Sequence, residues 1–284
     1  MLQYDAASWP PKRNIRKFHR RILRLRQRLN RDIHIIDGPY DYRFHCETVR
    51  EFNRCLKIFA KEPGTVDWIS QYVKSDDIFY DIGANIGVYS ILAASRTGKG
   101  GRVYAFEPHG ANFARLIDNI AQNSLQQVVF PNNFALNDKE GLFHFHYKSG
   151  DVGTSDSQLS DDGDAAGDED GIRICELKYA TTVDRLIASG EIIAPQHIKI
   201  DVDGNEFLIL AGMRHLLSGS QRPISIQIEM NDPHKSHILE FMEDHQYQMT
   251  HKHFTRSASR KISEGGDSEA FSYNAVFVNS QTVS

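Results

Sequence analysis

Apolar residues recur along this chain in two periods, and the switch between them divides it into segments. From about residue 12 to residue 30, Ile15, Phe18, Ile22, Leu25 and Leu29 return at spacings of three and four, the mark of a helix with one apolar face. From Asp32 to Phe44 short strands are expected around the Gly38-Pro39 turn. Two helices follow, Val49 to Ala60 and Thr65 to Val73, with Pro63-Gly64 between them. Residues 1–31 thus read as an N-terminal helical segment, 32–76 as a lead-in cover, and 77–280 as the main domain.

From Asp77 strands and helices alternate. The pattern predicts strands at Ile78–Ile82, Arg102–Phe106, Gln127–Phe130 (running irregularly to Leu136), His197–Val202 and Pro223–Met230. Between them it predicts helices up to Ala94, at Ala111–Asn123, Thr182–Ala188 and Glu206–Leu217, then Lys235–His245. Two last strands, Tyr247–Phe254 and Phe271–Val278, should run antiparallel, because the loop between them is too polar for a crossover helix. A strand at Gly141–Tyr147 breaks the alternation, and residues 150–171, rich in Gly, Asp and Ser, read as a flexible acidic insertion. The sum is an α/β fold: a seven-stranded, mostly parallel sheet with one antiparallel strand and helices on both faces.

Composition narrows the class. Hydrophobic residues make up 40% and charged residues 25% of the 284, ordinary values for a globular protein, and the net charge of −4 argues for no particular partner. The charge is uneven, however. Residues 12–31 are almost wholly basic outside the apolar stripe, which allows contact with an anionic membrane surface or an acidic partner, although an apolar stripe of this width more often docks on its own domain or on a second subunit of a homodimer. Three widely spaced cysteines with no CxxC fit a reducing compartment, and neither a spanning segment nor a signal peptide is evident. A cytoplasmic protein, peripheral to a membrane at most, is expected. The basic residues do not line a cleft, so no nucleic-acid partner is expected.

Chemistry concentrates where the first strand turns into a helix, at Phe79-Tyr80-Asp81-Ile82-Gly83-Ala84-Asn85-Ile86-Gly87. Open α/β sheets bind ligands at such strand ends. The loop lacks the middle glycine that makes room for a pyrophosphate, and no Lys follows it as in a P-loop. An acid beside it suits a cationic amine and sulfonium better than phosphates. One βαβ repeat later, Glu107 in Phe106-Glu107-Pro108 stands where a carboxylate accepts the ribose hydroxyls of an adenosine.

Over residues 60–232 the sequence resembles the FkbM-type S-adenosylmethionine-dependent methyltransferases. The resemblance rests on Glu62-Pro63 with Thr65 and Trp68, on the Asp81–Gly87 segment with Ser90, and on Phe106-Glu107-Pro108. It continues through Asn133, Ala135, Asp138 and Gly141, then Gly153 with Ser155, then Thr182-Val183-Asp184 with Leu186. It ends in Ile198-Lys199-Ile200-Asp201-Val202-Asp203-Gly204 with Glu206, and Glu229. It implies a Rossmann-like class I methyltransferase fold and S-adenosylmethionine as cofactor. Asp81, Gly83, Asn85 and Gly87 would hold its amino-acid end, Glu107 its ribose, and residues near Ala135–Asp138 its adenine. Glu62, Thr65, Ala84, Ser90, Pro108 and Asp201 complete the cofactor residues so implied. Family members mainly methylate hydroxyls of sugars and natural products, which makes a carbohydrate or small metabolite the expected acceptor.

Methyl transfer is an in-line displacement that needs an aligned acceptor and sometimes a base. Asp201, at the end of the fourth parallel strand, is one candidate for orienting or deprotonating a hydroxyl; with Glu229 or Asn231 it is alternatively a divalent-cation site, or it only contacts the cofactor. His109 is a further candidate base, though a surface histidine opening a helix is the commoner outcome. Three other readings stand beside an O-methyltransferase: a non-catalytic partner module of the same fold, a nicotinamide-dependent oxidoreductase, against which the missing middle glycine argues, and a nucleic-acid methyltransferase.

Overall fold

The structure is a computed structural model that describes residues 32–56, 58–155, 157–161, 174–231 and 233–280, with positions 17, 18, 21, 22, 24 and 25. The expected basic helix of residues 12–30 and the heart of the acidic stretch fall largely outside these. Phe18, Ile22 and Leu25 of that helix are exposed.

The chain opens with a hairpin, β1 (Ile33–Asp37) and β2 (Tyr40–Phe44), followed by helices α1 (Val49–Leu56), α2 (Ile58–Lys61) and α3 (Pro63–Tyr72). Alternation then gives β3 (Ile78–Ile82), α4 (Val88–Thr97), β4 (Arg102–Phe106), α5 (Gly110–Gln122) and β5 (Val129–Asn132). Next come β6 (Ala135–Leu136), β7 (Gly141–Tyr147), β8 (Ser157–Ser160) and β9 (Ile174–Thr181). The remainder is α6 (Val183–Ala188), β10 (His197–Ile200), α7 (Glu206–Ala211), α8 (Arg214–Ser218), β11 (Ser225–Met230), α9 (Lys235–Asp244), β12 (Tyr247–Phe254), α10 (Arg256–Ser263) and β13 (Tyr273–Asn279).

Seven strands form the main sheet in the order β5-β4-β3-β10-β11-β13-β12. β13 runs antiparallel to both its neighbours, and the other paired strands run parallel. The central strands read as unbroken buried runs because both their faces are covered. Phe79 points into the core under α3, α4 and α5, while its neighbours Tyr80 and Ile82 join the opposite core under α6 to α9.

Three features depart from the sequence pattern. The helix expected over Glu206–Leu217 is two helices, because a Cβ at Gly212 would lie 2.1 Å from the carbonyl oxygen of Asn137, and the chain breaks there to let that backbone through. The polar link between β12 and β13 contains α10, although the two strands are antiparallel as expected. A second sheet, ordered β6-β9-β7-β8, gathers the expected strand Gly141–Tyr147 with β8 and β9, for which the pattern gives no sign. Its strand β8 lies inside the stretch read as an insertion, and β9 shows Cys175, Leu177 and Tyr179 to solvent while half-burying Glu176 and Lys178, which inverts the usual alternation.

Candidate active site

The carboxyl ends of β3, β4 and β10 lie side by side, and the loops that leave them enclose a cleft with about 760 Å³ of empty space up to its mouth. Gly83 starts the first loop with φ +81°, and a Cβ on it would stand 1.8 Å from the carbonyl oxygen of Asp201. Only glycine lets β3 and β10 end this close together. The N–H groups of Gly83 and Ala84 both donate to the carbonyl of Phe106 at 3.0 Å, tying the loop to the end of β4.

Asn85 also adopts a left-handed conformation (φ +52°), which its short polar side chain tolerates. Its side-chain oxygen accepts the Ile86 N–H (3.0 Å), and its Nδ2 donates to the Thr154 carbonyl (2.7 Å). Its own N–H donates to Glu107 Oε2 at 2.7 Å, and the His109 N–H donates to Oε1 at 2.8 Å. Glu107 is thereby fixed at the cleft wall with free lone pairs on each oxygen. Burial pushes its carboxyl up to about 7, against the pull of those two N–H donors.

One end of the cleft is apolar, lined by Phe106, Phe134, Ala135, Leu136 and Phe145, and it suits a flat aromatic ring. The Thr154 hydroxyl, buried and without a hydrogen-bond partner, belongs to the same lining. A second cavity of about 440 Å³ adjoins it and shares Arg54, Gly83, Asn85 and Asp201. Glu62, Ala84, Tyr89 and Lys199 line that second space, and the Tyr89 hydroxyl donates to Glu62 at 2.8 Å.

A charge cluster lies beneath both cavities. Lys199 is 2% exposed, and its ammonium stands 2.9 Å from Asp201 Oδ2 and 3.9 Å from Asp81 Oδ1. Burial alone would strip the Lys199 proton, but the two carboxylates outweigh it and raise its pKa. Burial likewise works against ionised Asp201, yet Lys199 prevails and holds it at about 2. Glu229 shares a hydrogen bond with Asp201; burial and then that neighbouring charge push it up to about 9. The pair therefore carries one proton across the neutral range.

The residues singled out in the sequence divide by position. Gly83, Asn85, Glu107, Pro108, Ala135 and Asp201 line the main cleft, and Glu62 and Ala84 the adjoining cavity. Asp81 lies under the cavities, wholly buried, taking a hydrogen bond from Ser90 at 2.5 Å. Thr65 is buried outside both and Asp138 is exposed outside both, while Gly87 faces Leu116. His109 is not placed as a base. Its Nδ1 accepts the Asn112 N–H and caps α5, and its Nε2 donates to the Ser149 carbonyl. Among the described residues no group of three or more His, Cys, Asp or Glu side chains is arranged to hold a metal. Asp201 and Glu229 are already balanced by an ammonium and a shared proton, so that donor set does not fit a divalent cation.

Sequence reasoning assigned no role to Arg54, Asn112, Tyr89 or Lys199. Lys199 alone carried a signal, a lysine inside an apolar strand two residues before Asp201 and so on the same strand face.

The methyltransferase FkbM domain model matches residues 81–249, which holds the glycine loop, Glu107, Asp201 and Glu229. The chain belongs to the FkbM methyltransferase family. Over 178 residues, 63% of the chain, it is 26% identical to the hexuronic acid methyltransferase AglP of Haloferax volcanii. Over 117 residues, 41% of the chain, it is 35% identical to the AMB antimetabolite synthetase AmbE of Pseudomonas aeruginosa. The matched part spans 66% of the first relative's length and 5% of the second's. Among solved structures, the FkbM methyltransferase of Methylobacillus flagellatus KT is similar with a TM-score of 0.45 at 17% identity, over 72% of this chain and 44% of that one. Aeropyrum pernix fibrillarin, solved with S-adenosyl-L-methionine, gives 0.46 at 9% identity, over 87% of this chain and 82% of that one. Within this FkbM-family chain no described helix is long and apolar enough to cross a membrane.

Proposed function

We propose that this chain transfers a methyl group from S-adenosylmethionine to a hydroxyl oxygen of a sugar, glycan or small metabolite. The observation that carries the reading is the meeting of Gly83–Asn85, Glu107 and Asp201 around one cleft at three adjacent strand ends. An adenosine fits its two ends, the ring against Phe106, Phe134 and Leu136 and the ribose hydroxyls against Glu107. When bound, the cofactor supplies a methyl on a cationic sulfur, which takes the electron pair of the breaking C–S bond. The acidic lining of Glu62, Glu107 and Asp201 favours a ligand with that charge.

Asp201 is the residue we assign to the acceptor. It is ionised at every working pH and about a third exposed to the cleft. With so low a pKa it is a weak base, so it aligns the hydroxyl and takes its proton only as the new C–O bond forms. A sugar acceptor is supported by the likeness to a hexuronic acid methyltransferase.

Calorimetric titration of S-adenosylhomocysteine, with NAD as control, tests the reading. Micromolar binding that weakens about tenfold or more in Glu107→Ala is expected, the loss of one charged hydrogen bond. Well-folded protein that does not bind S-adenosylhomocysteine overturns it.

A further inference from the structure

Arg54 lines both cavities, yet it lies upstream of residues 81–249 that define the family. Its helix α1 is fixed in place. Glu51, one turn earlier, is wholly buried and pairs with Arg115 Nε at 2.5 Å, and Cys55 beside it is also buried. Arg54 itself is half-buried and donates one hydrogen bond, from Nη2 to the Gly153 carbonyl at 3.2 Å. Among the described residues no carboxylate stands within ion-pair distance of it, whereas Lys199, the other cation of the lining, is held by Asp201.

A guanidinium offers five donors in a planar fork, and most of this one's remain for a ligand. The group that matches such a fork in a half-desolvated site is a carboxylate, bound through two parallel hydrogen bonds. Elsewhere the lining would repel it, since Glu62, Glu107 and Asp201 are all acidic.

We propose that Arg54 is the carboxylate-binding residue of this site. Two ligands would bring that group to it: the amino-acid part of the cofactor, or a uronic-acid unit of the acceptor. The assignment rests on the methyltransferase reading and adds to it the subsite that fixes the anionic end of a ligand.

Calorimetry on the full chain separates the sources, using wild type, Arg54→Gln and Arg54→Lys. S-adenosylhomocysteine is compared with 5′-methylthioadenosine, the same adenosine without the amino acid. Methyl glucuronide is compared with methyl glucoside on protein loaded with S-adenosylhomocysteine. If the cofactor brings the carboxylate, Arg54→Gln weakens S-adenosylhomocysteine about tenfold or more and leaves methylthioadenosine within twofold. If the acceptor brings it, S-adenosylhomocysteine is unchanged and the glucuronide loses its preference over the glucoside. Arg54→Lys, which keeps the charge without the fork, recovers part of the loss, and it serves in the same comparisons if the Gln variant does not fold. Equal weakening of both adenosine ligands, or no change with any of the four, overturns the assignment alone. Wild-type protein that binds neither adenosine ligand overturns the methyltransferase reading and the assignment with it.

Discussion

The side-chain amide of Asn85 donates to the Thr154 carbonyl at 2.7 Å, joining the glycine loop after β3 to a segment 69 residues away. Asn112 completes the clasp: its Oδ1 accepts the Gly153 N–H at 2.7 Å and its Nδ2 donates to the same Thr154 carbonyl at 3.1 Å. Two asparagines thus hold the loop of Gly153 to Ser155 over the cleft, and the unpartnered Thr154 hydroxyl comes with it.

Asn85 meets two demands at once, a left-handed backbone and a tether. Asn85→Gly keeps the first and loses the second, whereas Asn85→Ala loses both. Thermal melts should therefore rank wild type above Gly and Gly above Ala, with about 1 kcal/mol lost at each step. Asn112→Ala should weaken S-adenosylhomocysteine binding as Asn85→Gly does, because both release the same loop. Alanine as stable as glycine at position 85 would remove the conformational half of this argument.

Glu107 titrates near 7 in the free protein, above the ordinary 4.5, because it is buried. In the proposed complex ribose hydroxyls would donate to the ionised form, so ligand affinity should rise with pH up to about 7 and level off above it. The same shift acts on stability with the opposite sense. Between pH 4.5 and 7 the folded chain holds a proton that the unfolded chain has released, so the free protein loses stability as pH rises through that window. Glu107→Gln should flatten the binding profile. One of the two backbone N–H donors then meets an amide nitrogen that cannot accept, so the variant should be less stable than wild type at pH 4 by about 1 kcal/mol or more, and it should regain up to roughly 3 kcal/mol relative to wild type between pH 4 and pH 8. Melting curves of both forms at the two pH values decide the matter.

Lys199 compensates Asp81, which is wholly buried and whose Oδ1 has no hydrogen-bond partner. Removing one partner of a buried pair strands the other, at a cost of about 3 kcal/mol or more. Lys199→Met should lower stability in urea by that order. Adding Asp81→Asn should restore part of the loss, since a neutral amide needs no counter-charge. Strictly additive losses in the double variant would show that the two groups do not depend on each other.

The parallel core was legible because its strands are continuous apolar runs and its turns carry Gly83 and Gly87. The strand pattern gave β3, β4, β7 and β12 with the boundaries observed. The smaller sheet was hidden, because β8 is Ser-Gln-Leu-Ser and β9 turns its leucine and tyrosine outward. In the site, residues at strand ends could be placed from the strand pattern alone, as with Glu107 and Asp201. Arg54 and Asn112 could not: they reach the cleft from helix surfaces, and only the packing of α1 and α5 decides which side chains face it. His109 shows the converse. Its position after Pro108 suited a base, but its ring instead caps the Asn112 N–H in the first turn of α5.

The Asp201–Glu229 pair makes the sharpest demand on kinetics. Lys199 holds Asp201 ionised and burial beside that charge keeps Glu229 protonated, so from pH 5 to 8 the pair holds one proton and its charge does not change. Turnover at saturating cofactor and acceptor should then be flat across that range. Asp201→Asn removes the charge we propose to orient the hydroxyl and should lower kcat about a hundredfold, while S-adenosylhomocysteine binds within a few fold of wild type. Glu229→Gln is the informative partner, because an amide imitates the protonated carboxyl and still donates to Asp201. It should keep kcat within about fivefold and stay flat with pH. Glu229→Ala leaves that oxygen of Asp201 without a donor and should fall between the two. A Glu229→Gln enzyme as impaired as Asp201→Asn would mean that Glu229 must give up its proton during turnover, and the roles assigned to the two acids would have to be exchanged.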